Sequence, residues 1–369
     1  MNTSTLLLTA LCFSSPWAAA TAQKPADLSA MLEEVRKAHD TPALVAAVVS
    51  SEGLLAEGVV GVRDVTAETR ATLQDLWHIG SITKSFTSTL ASRLADQEVI
   101  EWDAELADFL DVAEGTPYQA VLLSSLATHS SGLAANPPMA WFTDTRQSKL
   151  SLPEQRLEVI SDMLRQEPQS SPGTQLLYSN AGYMTLGTVL EQATGQSWEE
   201  LVQKHVLGPL KLKSAGFGAP GSLTKIDQPR GHVAGADLKL TPVPGGDNPA
   251  ALGPAGTLHM SVYDLASYAQ EHLKGELGHG TLLDHDTYRR LHKGGLGNYG
   301  FGWVDNKEAW AGFRRAIWHN GSNTMWYAMV ALIPEADRAF AIVSNGSIGS
   351  QIAVHDALGK LVKEWAPPD

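Results

Sequence analysis

Ser81 and Lys84 stand three residues apart at the start of a helix-like run, and a hydroxyl beside an amine can make a nucleophile and its base. Over residues 81–94, apolar or small side chains recur at Ile82, Phe86, Leu90, Ala91 and Leu94, near the helical period. On such a helix a spacing of three sets the Lys84 ammonium one turn on, over the same face as the Ser81 hydroxyl. Gly80 leaves room for close approach. A serine in the first turn also faces free backbone N–H groups and the positive end of the helix dipole, both of which favour developing negative charge. Lysine, with a reference pKa of about 10.4, becomes a base only where burial or neighbours depress it.

By itself Ser-x-x-Lys also fits an N-cap serine and a solvated lysine. Two later stretches supply partners. Tyr178-Ser179-Asn180 follows the turn-rich Ser171-Pro172-Gly173 and precedes a helical pattern over 181–194. That predicts a loop from which a phenol and a carboxamide face a cleft. His319-Asn320-Gly321-Ser322 lies between residues 314–318 and the alternating run 325–333, which read as the arms of a β-hairpin or the start of one strand.

With these three motifs in this order, the chain resembles the serine β-lactamase and penicillin-binding-protein superfamily. The resemblance is to its class C-like branch, which also holds DD-peptidases, D-aminopeptidases and esterases, and it covers nearly all the chain after about residue 28. Thr128-His129-Ser130-Ser131-Gly132-Leu133 looks like that branch's Thr-His-Thr-Ser-Gly-Leu loop. Gly182-Tyr183, Leu186-Gly187, Glu191, Gly195 and Leu207-Gly208-Pro209-Leu210 look like its helix pair after the Tyr-x-Asn loop. The resemblance implies that Ser81 is acylated while Lys84 and Tyr178 share the proton traffic, Tyr178 protonating the leaving group and then activating water. It implies that Asn180 hydrogen-bonds substrate or holds Lys84, and that the backbone N–H groups of Ser81 and Ser322 form an oxyanion hole. Gly321 would let substrate lie flat against the strand edge. Asn136 would sit near the substrate amide, against the plainer reading of turn chemistry beside Pro137 and Pro138. His129 either lines the cleft or stabilises its loop. One departure bears on substrate: the triplet starts with His319, where most β-lactamases carry a lysine able to attract a carboxylate. Histidine, with a reference pKa near 6.5, lacks much of that charge at neutral pH.

The 369 residues suffice for one large core or two modest ones, and 43% hydrophobic with 18% charged residues describes a globular protein. A net charge of -13 argues against nucleic acid and anionic membrane surfaces as partners without identifying a substrate; the resemblance implies a small-molecule or peptide one. Residues 1–22 read as a secretory signal, with an apolar stretch over 6–13 and a small-residue site at Ala20-Thr21-Ala22, although no Lys or Arg precedes Lys24. The one cysteine, Cys12, falls inside it, so a mature chain would hold no disulfide. No later run reaches the 18 or so apolar residues of a membrane span, so stable membrane insertion is not expected and the periplasm or medium is. Oligomeric state is left open.

Residues 28–39 predict a helix, 43–50 and 54–62 strands, 263–273 a helix, 299–304, 328–333 and 339–343 strands, and 351–365 a closing helix. The expected fold is α/β of the α+β kind: an antiparallel sheet flanked by helices, built from 23–100 plus 254–369, with an inserted mostly helical domain over 101–253. Gly295-x-Gly297-x-x-Gly300 fits a dinucleotide loop, but the strand-like Phe301-Gly302-Trp303-Val304 follows where a helix is needed. No His-Glu-x-x-His and no Gly-x-Ser-x-Gly occurs, and neither metal nor organic cofactor is expected. Trp77, Trp303, Trp318 and Trp326 flank the motifs and fit either an acyl pocket or core packing. The function expected is an exported serine hydrolase that cleaves an ester or D-amino-acid-type amide through a Ser81 acyl-enzyme. Alternatives are a class C-like β-lactamase or DD-carboxypeptidase, and a non-catalytic penicillin-binding-type sensor.

Overall fold

The computed structural model describes residues 24–144, 148–347 and 349–367, so the expected signal segment and Cys12 lie outside the described residues. In chain order the strands are β1 (Ala26–Asp27), β2 (Ala43–Val49), β3 (Leu54–Gly61), β4 (Leu76–His78), β5 (Gly216–Phe217), β6 (Gly231–Ala234), β7 (Leu240–Val243), β8 (Leu258–Ser261), β9 (Val304–Glu308), β10 (Arg314–Ser322), β11 (Tyr327–Ile333) and β12 (Arg338–Ser344). The main sheet runs β1-β3-β2-β12-β11-β10-β9 and is antiparallel throughout except where β1 pairs with β3. Smaller sheets join β4-β8-β5 and β6-β7.

Strands β2 and β11 are buried along their whole length because both faces of the sheet are covered. Side chains alternate between those faces. Leu44, Ala46 and Val48, with Met329, Ala331 and Ile342, pack under helix α1 (Ser29–Ala38) and the closing helix Ser350–Trp365, which contribute Leu32, Val35, Ala353, Leu358 and Leu361. Val45, Ala47, Val330 and Val343 turn the other way, into the larger core shared with helix Val262–Glu276 and helix α2 (Thr83–Ala95). The expected antiparallel sheet flanked by helices is the architecture observed.

Helix α2 departs from the amphipathic reading. Nearly every residue in it is buried, including Thr83, Ser85, Thr87, Ser88 and Thr89. Their hydroxyls find partners inside: Ser85 donates to the Ile82 carbonyl, Thr87 to the Pro254 carbonyl, and Thr89 pairs with the Tyr268 hydroxyl at 3.0 Å. The expected strand over 299–304 is also corrected. Tyr299 and Val304 form an isolated bridge across a tight turn closed by Gly300 N–H to the Trp303 carbonyl, and β9 begins only at Val304. The stretch 101–253 holds the helices Leu152–Leu164 and Asn180–Thr194, and also β5, β6 and β7.

Candidate active site

Ser81 sits in a 3-10 turn, Gly80–Ile82, immediately before α2, so the serine stands at the mouth of the helix and Lys84 one turn inside it. Lys84 is fully buried, and its Nζ has three oxygen neighbours: Ser81 Oγ at 3.0 Å, Asn180 Oδ1 at 2.7 Å and the Ala255 carbonyl at 2.7 Å. Burial drives its pKa well below the ordinary lysine value. A neutral amine has two N–H groups and one lone pair. The amide oxygen and the carbonyl oxygen can only accept, so they take the two N–H groups, and the lone pair is left for the Ser81 hydroxyl proton.

Asn180 is therefore fixed at both ends: Oδ1 accepts from Lys84, and Nδ2 donates to Asn136 Oδ1 at 2.7 Å. It opens helix Asn180–Thr194 rather than lying on the expected loop, with Ser179 as N-cap accepting from the Gly182 N–H at 2.9 Å. Tyr178, just outside the helix, has its phenol close enough to the Ser81 hydroxyl to interact with it. Its ring is 4.9 Å from Lys84 Nζ and packs on His129 with centroids 4.2 Å apart. Burial of the phenol end pushes its pKa up. The residue as a whole is 40% exposed, so solvent screening trims that push, and the group remains a protonated donor at neutral pH.

His129 is buried in the positive-φ region, and its Nδ1 accepts the Ser179 N–H at 3.0 Å. Of its two expected roles, the structure shows the stabilising one: it holds the Tyr178-Ser179 peptide and backs the Tyr178 ring. His319 is 3% exposed and fully ringed by protein. Its Nε2 lies 2.9 Å from the Tyr299 hydroxyl and its Nδ1 contacts the Asn320 carbonyl, a pairing that fits a neutral ring with the proton on Nδ1. Burial first, then the nearby Lys84, lowers its pKa to about 3. At neutral pH the ring is therefore uncharged.

A Cβ on Gly321 would meet the Ile79 carbonyl oxygen and lie 2.7 Å from the Ser81 nitrogen, so the glycine admits the nucleophile's own turn. Reciprocally, Gly80 has φ +52°, and a Cβ on it would strike the Ser322 nitrogen. These two glycines let the 3-10 turn and the end of β10 touch backbone to backbone, bringing Ser81 beside Ser322. Tyr299, absent from the sequence reading, is carried by the glycine-rich turn that had suggested nucleotide binding. A Cβ on Gly302 of that turn would lie 2.7 Å from the Ser85 Cα, which explains the glycine by packing against α2. Trp77, Trp303 and Trp326 are core residues, 0%, 0% and 1% exposed, and line no cleft.

A Ser-x-x-Lys turn with its lysine buried, a Tyr-x-Asn segment and a glycine-bearing strand end are brought together between a sheet and helices. The comparisons give the family: the Beta-lactamase family model matches residues 28–362, and the chain belongs to that family. Penicillin-binding protein 4 of Amycolatopsis lactamdurans is 24% identical over 358 residues, covering 91% of each chain. The octameric penicillin-binding protein homologue from Pyrococcus abyssi superposes with TM-score 0.75 at 23% identity, over 92% of this chain and 78% of that one. A D-stereospecific amidohydrolase from Streptomyces gives TM-score 0.73 at 20% identity, over 92% and 99%. These two structures share the fold.

Proposed function

We propose that this protein is an exported serine hydrolase that cleaves an ester or a D-amino-acid-type amide through a covalent Ser81 acyl-enzyme. The observation that carries the reading is the three-partner cage of Lys84, which leaves one amine lone pair aimed at Ser81. In the acylation step the Ser81 Oγ bonds to the substrate carbonyl carbon as its proton passes to Lys84 Nζ. The oxyanion is met by the N–H groups of Ser81 and Ser322. Collapse breaks the bond to the leaving group, which takes a proton from the Tyr178 hydroxyl, itself resupplied from Lys84. Water, deprotonated along the reverse path, then attacks the acyl carbon and frees Ser81. Losing one oxyanion donor in such a site costs about 2.7–4 kcal/mol.

The neutral, enclosed His319 favours substrates without a carboxylate at that subsite. On that ground we rank esters and D-amino amides ahead of β-lactams and peptides ending in a free D-Ala carboxylate. The amide class is also that named for the Streptomyces amidohydrolase of the same fold. Export rests on the composition of residues 1–22. Steady-state assays with p-nitrophenyl acetate, D-alanine p-nitroanilide and nitrocefin test the reading, with Ser81→Ala as control. Turnover of either of the first two, lost in Ser81→Ala, is expected. Efficient nitrocefin hydrolysis alone would make it a β-lactamase, and a stoichiometric burst without turnover would make it a sensor.

A further inference from the structure

The two amides assigned to the oxyanion hole belong to elements far apart in sequence, and something must hold them in register. Behind them lies a polar cluster outside the catalytic motifs. His78, wholly buried at the end of β4, accepts the Gly80 N–H on Nδ1 at 3.1 Å. An Nδ1 that accepts leaves the ring proton on Nε2. That nitrogen lies 2.8 Å from Asp247 Oδ1, an oblique approach without the alignment of a straight hydrogen bond, so the attraction is chiefly electrostatic. The same Oδ1 accepts from Asn323 Nδ2 at 3.2 Å and from the Asn248 N–H at 2.6 Å. Asn323 is buried, follows Ser322, and takes the Met325 N–H on its own Oδ1 at 3.2 Å. Asn248 in turn donates to the Gly256 carbonyl at 2.8 Å, one residue beyond the Ala255 carbonyl that holds Lys84.

One carboxylate oxygen therefore reaches both halves of the hole, Gly80-Ser81 through His78 and Ser322 through Asn323. We propose that Asp247 is a positioning residue that sets the spacing and aim of the Ser81 and Ser322 N–H donors, with His78 and Asn323 as its two arms. This rests on the Ser81 acyl-enzyme reading. It requires no contact between Asp247 and substrate. The side chain is 10% exposed, and its Oδ2 is buried with no hydrogen-bond partner among the described residues. The desolvation of the carboxylate is offset by its contacts to His78, Asn323 and Asn248.

The test uses Asp247→Asn, Asp247→Ala and Asn323→Ala in the full chain, assayed with a p-nitrophenyl ester. Each is also acylated with a carbon-13 carbonyl ester and read by isotope-edited infrared difference spectroscopy. Hydrogen bonds from the hole lower the acyl carbonyl stretching frequency, so misaligned donors raise it. Asp247→Ala is expected to lower kcat by about 10²-fold with little change in KM, and to move the band to higher frequency. Asn323→Ala, which cuts one arm at a turn, should move the band part of the way even if Asp247→Ala does not fold. Asp247→Asn, which keeps an oxygen acceptor, should fall between wild type and alanine. A band and kcat unchanged in Asp247→Asn and Asn323→Ala would overturn the proposal, as would a loss of melting temperature with the band unmoved. Failure of the acyl-serine reading is separable: it would show as no acyl band in the wild type, or the same band in Ser81→Ala.

Discussion

Lys84 sets the pH behaviour of the site, and His319 adds no inflection of its own. Lys84 acts as a base only when unprotonated, so acylation is lost as pH falls through its depressed pKa and holds above it. His319, at about 3, has already lost its proton throughout the working range. The expected profile of kcat/KM against pH is a single rise, with no second inflection near the ordinary histidine value, and His319→Asn should leave the position of that rise unchanged. A limb near 6.5 that vanishes in His319→Asn would mean the ring is charged when substrate binds. Gly321 gives a steric prediction. Gly321→Ala would drive its methyl into the Ile79 carbonyl and the Ser81 amide, so the turn and β10 must separate. The expected result is a fall in acylation rate of at least about 10²-fold, the size of one lost oxyanion donor, measured by burst kinetics. A variant with normal acylation would show that the turn tolerates that separation.

Elements were legible in the sequence where a local period decides them and illegible where distant partners do. The continuous apolar runs of β2 and β11 and the periodicity of the closing helix suffice, because a strand covered on both faces is apolar throughout and a helix covered on one face is apolar at its own period. The Ser-x-x-Lys spacing survives the replacement of a helical first turn by a 3-10 turn, since either geometry brings the two side chains together. The burial of α2 on all sides was not legible, because its hydroxyls are satisfied by Pro254, Tyr183 and Tyr268, each far along the chain. Tyr299 and Asp247 escaped for the same reason: each matters through a partner supplied by another element. So did Arg156, which sits unexposed in helix Leu152–Leu164, pairing with Glu191 at 2.6 Å and Glu199 at 2.8 Å. It ties together three helices beside the site. Removing one member of such a buried group strands a charge, at about 3–5 kcal/mol. Arg156→Ala should therefore lower the unfolding free energy from urea titration by that amount at pH 7.5. Burial already raises the Glu191 pKa, and without Arg156 it rises further above the unfolded value. Stability from a raised carboxyl is present at low pH and lost as pH rises, so the deficit should narrow toward pH 5. A deficit that does not change with pH would locate the loss in packing alone.

Across the whole molecule, the buried histidines outweigh the net charge of -13 in determining acid stability. His129, His272 and His319 are almost wholly enclosed, and burial is the largest cause lowering the pKa of each. Each is committed as a neutral ring to a specific partner: His129 to the Ser179 N–H, His272 to His292 at 2.8 Å, His319 to the Tyr299 hydroxyl. In the unfolded chain all three return to about 6.5. Their contribution is therefore complete above that value and is lost as pH falls from there toward the folded values, which for His319 is about 3. Each such group removes up to about 1.4 kcal/mol per pH unit, and three together roughly 4, against a total stability of about 5–15 kcal/mol. Between pH 6.5 and 5.5 this loss is under way, and Glu33 and Glu276, held near 2, titrate well below that interval. The urea midpoint should fall across that interval, and unfolding at pH 5.5 should take up protons, measured by calorimetry in buffers of differing ionisation enthalpy. A flat midpoint with no proton uptake would mean these rings are already charged in the folded chain. The hydrogen bonds that hold Tyr178 and His319 in place could not then exist as described, because a protonated His129 cannot accept the Ser179 N–H.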